Sequence, residues 1–400
     1  MSAACQSISP HLKATIDQMS SLRQIRIHAA LVAAAVLTPG AVHAADYWMY
    51  TGTYTSGASK GIYVSRYQPQ KGRVTKPVLA ADTGNPSFLT IHPNHKWLYT
   101  VNENGSETVM GSVSAYAIDP KTGKLSLLNW VSSKGGAPCH LSIDHSGKWL
   151  AVANYTSGSV AVLPIAADGK LGEAAGFVQQ AGSSVNRERQ AGPHAHEAVF
   201  SPDNRFLLVP DLGADKIFVY RFDAASGSIT PNNPPSAAAR PGSGPRHLVF
   251  HPNGKMVYVV NELASSVTAY TYDSPAGKLE ELQATSILPD GFTGANTAAE
   301  LAVNADGTRL YASNRGHDSI ALLSIDPVAF TLTAMEYPPA MVQKPRYITL
   351  DPEGAILIAA GQDSGTLQMF HVHPRTGQIR PFGRPIRIAN PVCVALAPVQ

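Results

Sequence analysis

One short pattern recurs along the chain, and no other feature constrains its fold as much. A hydrophobic strand runs into a Pro/Asp/Asn/Gly turn and is followed by a second strand that ends in polar residues. Copies begin at Asn85 (NPSFLTIHPNHKWLYTVNE), Ala137, Pro193, Gly244 (GPRHLVFHPNGKMVYVVNE), Thr297 and Lys344, and a seventh fragment, Asn390-PVCVALAP, ends the chain. Aligned on the turn, Pro93, His145, Pro202, Pro252, Ala305, Pro352 and Pro398 stand 46 to 57 residues apart. A unit of this size cannot bury its apolar face alone, so its repetition implies stacking, and the period is that of propeller blades. The 33 Gly and 30 Pro, spread evenly, suit many short strands joined by tight turns.

The missing half of the seventh copy lies at the other end of the chain, in Tyr47-WMYTGTY, Gly61-IYVSRY and Val74-TKPVLAA. Closing a ring with strands from both termini removes the exposed sheet edges that invite aggregation. Within the copies, Ser112-VSAYAID before Thr122-GKLSLL and Ser266-VTAYTYD before Ala276-GKLEEL predict two further alternating strands. The expectation is an all-β, seven-bladed β-propeller with four antiparallel strands per blade, a single domain over residues 45–400.

Residues 1–44 break this pattern. Arg23 and Arg26 precede the nine-residue apolar run Ala29 to Leu37, and small residues follow to Ala44. A run of about half the roughly 20 residues that span a membrane, ending in a cleavage-like site, predicts a secretory signal peptide cut after Ala44, and Met19 offers a second start. The mature protein is then expected in the periplasm, free of the membrane. The full chain's 31 Lys+Arg against 28 Asp+Glu include no basic run, which excludes a nucleic-acid-binding class. Cys139 and Cys393 are the thiols left after cleavage, in no metal-ligand spacing, and predict small buried core residues; no metal or cofactor is expected.

In a propeller the first strand of each blade lines the channel and the second returns beside it, so the start of one and the end of the other meet at the same mouth. Six residues before the turn the ring reads Ser87, Cys139, His196, Arg246, Ala299, Arg346 and Val392. Nine and ten residues after it stand Asn102-Glu103, Asn154-Tyr155, Asp211-Leu212, Asn261-Glu262, Asn314-Arg315, Gly361-Gln362 and, by closure, Gly52-Thr53. Structure needs repetition and chemistry needs asymmetry, so charged residues that break the repeat mark the site: His196, Arg246, Glu262, Arg315 and Arg346. Glu103, His140, His194 and Asn314 at the same mouth complete a candidate substrate-binding set. The recurring Asn and Asp also suit closure of the strand ends by backbone hydrogen bonds. Strand alternation is expected to turn His247 and Glu300 away from Arg246. His92 and His251, in the opposite turns, are expected to be structural. The irregular connections Gln179 to Gly192, Pro231 to Gly244 and Leu288 to Asn296 are expected to wall the mouth.

The segments YTGTYTSGASKGIYVSRY at Tyr50, GPHAHEAVFSPDNRFLLVPDLGADKI at Gly192, GPRHLVFHPNGKMVYVVNE at Gly244 and AAELAVNADGTRLYASNRGHDS at Ala298 resemble the lactonase family of seven-bladed propellers. That family contains bacterial 6-phosphogluconolactonases and the fungal carboxymuconate lactonising enzyme. The resemblance covers essentially 47–398 and implies a site of His196, Arg246, Arg315 and Glu262. It implies opening of a small-molecule sugar lactone, with His196, oriented by a carboxylate, as general base, and Arg246 and Arg315 holding the carbonyl oxygen, helped by Arg346. Glu262 orients His196 or is itself the base. The export signal points away from the cytoplasmic phosphosugar and toward D-glucono-1,5-lactone, acted on by a monomer. A 6-phosphogluconolactonase, a muconate-type cycloisomerase and a non-catalytic binding module are the competing readings.

Overall fold

The computed structural model describes residues 46–400, so the expected leader at 1–44 lies outside the described residues. Among the described residues, apart from a single turn of 3-10 helix at Pro69–Lys71, the regular structure is β-strand, arranged in seven antiparallel sheets around a ring. Blades 2 to 7 each take four consecutive strands, the innermost being Leu89–Ile91, Pro138–Ile143, Val199–Phe200, Pro245–Phe250, Thr297–Val303 and Pro345–Leu350. Blade 1 is the composite one. Its inner strand is the C-terminal Pro391–Pro398, paired from Tyr47↔Pro398 to Thr53↔Pro391 with Tyr47–Thr53, and Gly61–Gln68 lies outside that. The outer segment of this blade is split into Arg73–Val74 and Val78–Asp82, both on Gly61–Gln68. Pro77, with no N–H to give to a ladder, stands in the break.

Apolar residues at every second position give seven buried clusters, one between each pair of neighbouring blades. Hydrogen bonds cross the same interfaces. The second-strand tyrosines Tyr50, Tyr99 and Tyr311 donate to the carbonyls of Gly123, Gly169 and Gly377 on the outer hairpin of the next blade, at 2.7 to 2.9 Å. His92 and His251 reach the turn carbonyls of Gly147 and Gly307 at 2.9 and 3.0 Å, the structural work expected of them. The outer turns need glycine: Gly227 has φ +75°, and a Cβ there would lie 2.2 Å from the Trp149 ring of the preceding blade.

The feature that shapes the site is a β-bulge repeated around the mouth. In blades 3, 5, 7 and 1 the pairing slips across Cys139, Arg246, Arg346 and Val392, so that each of these residues has no partner opposite it. In blade 6 the slip covers Ala299 and Glu300. A bulge breaks strict alternation and re-aims the side chains around it. This overturns the expectation for His247 and Glu300: Arg246, His247 and Glu300 line one chamber in the channel. Of the expected wall segments, Pro231 to Gly244 is largely strand, since Ser228–Ala238 continues the outer edge of blade 4.

Candidate active site

At the mouth formed by the bulged ends of the inner strands lies a cavity of about 430 Å³. Cys139 and Arg346 reach it from the inner strands, His196 from the segment leading into the blade 4 inner strand Val199–Phe200, and Glu103, Tyr155, Glu262, Arg315 and Gln362 from the ends of the second strands. Tyr54, Arg189, Thr297 and Lys344 complete the lining. Residues 100 or more apart in sequence thus face one space, because each blade contributes the same two positions.

Glu262 is the electrostatic centre. Glu262 is 5% exposed; its carboxylate accepts from Arg189 Nη2 at 2.8 Å and from Arg246 Nε at 3.1 Å, and forms an ion pair with Arg315 Nη2 at 2.8 Å. Burial alone would raise its pKa, but the guanidinium groups of Arg315, Arg246 and Arg189 outweigh burial and hold it at about 2. Such a carboxylate stays ionised and is a poor proton acceptor at neutral pH. Its role is to fix three arginines. Arg315 is further held by the Ala298 carbonyl at 2.7 Å, and burial lowers its pKa to about 10. Arg246, 2% exposed, donates to the Ala299 carbonyl at 2.6 Å and stands behind Glu262, outside the cavity lining.

Arg346 differs from these. It lies over the Tyr54 ring, 5.3 Å from the centroid, and makes no ion pair or hydrogen bond among the described residues, so its donors face the cavity. Tyr54 in turn donates to Glu103 Oε2 at 2.9 Å.

His196 is buried at the cavity floor with Cys139, whose thiol donates to the His196 carbonyl at 3.3 Å and lies 3.9 Å from Nδ1. Among the described residues no carboxylate bonds this ring, contrary to the expected orientation by Glu262. Burial, followed by the charges of Arg246, His247 and Arg346, pushes its pKa well below the ordinary imidazole value, so it is neutral at pH 7. A neutral imidazole facing a bound molecule can take a proton and, once charged, gives it up readily.

The remaining candidates stand outside the cavity lining. His194 is stacked on Tyr155 at 4.5 Å, its Nδ1 2.9 Å from the Tyr155 carbonyl, and it supports that ring from behind. Asn314 is fully buried and donates to the Ile287 carbonyl at 2.7 Å, closing the strand end as the recurring Asn pattern suggests. His140 lies in the channel beneath, 3.4 Å from Glu197.

Four lining residues escape a reading of the two mouth positions. Thr297 and Lys344 sit two residues before the bulge position, and adding that position to the pattern would find them. Tyr54 lies one residue past the expected strand end. Arg189 comes from the irregular connection after Gly176–Gln179, one of the expected wall segments, where no repeat marks it.

Comparison with known proteins identifies the family. The family model "Lactonase, 7-bladed beta-propeller" matches residues 48–396. The chain is 36% identical over 348 residues to the 6-phosphogluconolactonase of Bacillus subtilis, covering 87% of this chain and 97% of that protein. Against the 6-phosphogluconolactonase of Klebsiella pneumoniae (strain 342) it is 34% identical, covering 78% and 88%. The structure of the Pseudomonas aeruginosa periplasmic gluconolactonase PpgL superposes with a TM-score of 0.83 at 35% identity, covering 89% of this chain and 100% of that one. With the repeat, the closed ring and the mouth cavity, these matches show that the chain belongs to the lactonase family of seven-bladed β-propellers, whose members matched here are lactone hydrolases.

Proposed function

We propose that this protein opens D-glucono-1,5-lactone to gluconate in the periplasm. The observation that carries the hydrolytic step is a neutral imidazole, His196, in the same cavity as a guanidinium, Arg346, that has no ion-pair or hydrogen-bond partner among the described residues. A cavity of about 430 Å³ suits a six-carbon lactone. Water attacks the carbonyl carbon and His196 takes its proton. Arg346 and Arg315 stabilise the oxyanion of the tetrahedral intermediate. His196 then returns the proton to the ring oxygen as the acyl–oxygen bond breaks, leaving the hydroxy acid. Glu262 holds Arg315 and Arg246 in place, and Tyr54 and Glu103 offer hydrogen bonds to sugar hydroxyls.

The unphosphorylated substrate and the periplasm rest on the leader, Arg23 and Arg26 ahead of Ala29 to Leu37, and on likeness to the periplasmic gluconolactonase. A second reading, the 6-phosphate, is favoured by charge: Arg189, Arg315, Lys344 and Arg346 outnumber Glu103 and Glu262 around the cavity. Acid release from glucono-1,5-lactone and from its 6-phosphate, with spontaneous opening subtracted, separates the two. A higher kcat/KM for the phosphorylated lactone would reject the first reading. An unchanged His196→Ala enzyme would reject the mechanism, since loss of the base costs roughly 10²- to 10⁴-fold.

A further inference from the structure

Below the cavity the channel holds a polar pair that the reaction scheme does not use. His247 Nδ1 lies 3.0 Å from Glu300 Oε2 and 3.1 Å from Oε1, with both residues buried. The other ring nitrogen, His247 Nε2, is buried with no hydrogen-bond partner among the described residues, and so is Ser87 Oγ. Buried polar atoms without partners need an explanation. Both residues line a chamber of about 10 Å³, room for one water. The same chamber is lined by Cys139 and Arg346, which also line the substrate cavity. On the far side, Glu300 and Tyr347 line both this chamber and a pocket of about 270 Å³ between the opposite ends of three inner strands. Glu300 therefore stands between the two ends of the channel.

We propose that the His247–Glu300 pair is a proton station, connected to the substrate cavity by one water held between His247 and Ser87, that carries the reaction's released proton to the opposite mouth. The inference rests on the hydrolytic reading. Opening a lactone at neutral pH yields a carboxylate and a proton, because the carboxylic acid first formed ionises beside Arg346 and Arg315. His196 has already returned its own proton to the ring oxygen. The carboxyl proton passes to the chamber water, which gives one of its protons to His247 Nε2. Glu300, which carries a proton at neutral pH, releases it to solvent at the far pocket, and the carboxylate so formed takes the His247 Nδ1 proton. Only O–H and N–H bonds form and break, and nothing is oxidised or reduced. Burial pushes the Glu300 carboxyl up to about 8 against the opposing charges of Arg246 and Arg346, so it gains and loses protons near neutral pH. Glu197, which faces Glu300 across the channel, is raised by burial in the same direction.

The test compares wild type with Glu300→Gln and Ser87→Val on glucono-1,5-lactone, in dilute and in concentrated imidazole buffer. Ser87→Val fills the chamber without touching the pair, so it serves if Glu300→Gln fails to fold. Both variants are expected to lose kcat in dilute buffer by about tenfold, short of the loss expected for the base itself, with KM unchanged, and to regain it as imidazole rises. Wild-type kcat is expected to be indifferent to buffer concentration. A folded variant that keeps wild-type kcat in dilute buffer, or one whose loss imidazole leaves in place, overturns the proton station. Failure of wild type on this lactone and its 6-phosphate would instead reject the hydrolytic reading itself.

Discussion

Replacing Glu262 by Gln tests the electrostatics of the site most directly. The side chain keeps its shape and one acceptor oxygen but loses the charge that three guanidinium groups share. A carboxyl held at about 2 instead of its ordinary 4.5 stabilises the folded state at neutral pH by about 3 kcal/mol, at about 1.4 kcal/mol per pKa unit. Removing one partner of a buried ion pair independently costs about 3 to 5 kcal/mol. The lower end applies here, because the Arg189 side chain is 39% exposed and partly screened. The expected deficit of the variant is therefore about 3 kcal/mol at pH 7, read by equilibrium urea denaturation. The sign of its pH dependence follows from the depressed pKa. The contribution is complete above the unfolded value of 4.5 and disappears as pH falls through about 2, so wild type and variant converge in acid. Equal stability at pH 7, or a deficit that persists unchanged into acid, would refute the reasoning.

Other consequences are as specific. Arg346→Ala is expected to lower kcat by roughly 10²- to 10³-fold with little effect on folding, and steady-state kinetics beside a thermal melt would show it. Asn314→Ala should destabilise by about 1 to 3 kcal/mol through the carbonyl it leaves unpaired, with KM unchanged; a raised KM would place it against substrate after all. His251→Ala removes a bond between blades and should cost about 1 kcal/mol in urea denaturation while activity stays intact. Because the His196 pKa is lowered, activity should hold as pH falls past the ordinary imidazole value of 6.5, and a pH–rate profile with its acid limb at or above that value would contradict the assignment.

Much of this architecture is legible in one dimension because repetition is. The turn residues Pro93 through Pro398 locate the blades, and the order of the terminal strands follows from the missing half of the last copy. The broken repeat also picks out His196, Glu262, Arg315 and Arg346, all of which line or directly support the cavity. Arg246 is found by the same rule, yet it braces Glu262 from behind, since sequence position says which end of a strand a residue occupies and not how deep its side chain lies.

What the chain by itself determined was the blade count, the closure and the ring of positions that meet at one mouth, because these depend on periodic burial of apolar faces. Tertiary structure decided which of those positions touch one another. The bulges at Cys139, Arg246, Arg346 and Ala299–Glu300 disrupt alternation, and a slip in pairing is a property of two strands together. Arg189 enters from a loop with no repeat, and the partner of Glu262 proves to be three arginines instead of His196. Charge pairing in a closed ring depends on distances between blades, and no spacing along the chain encodes those distances.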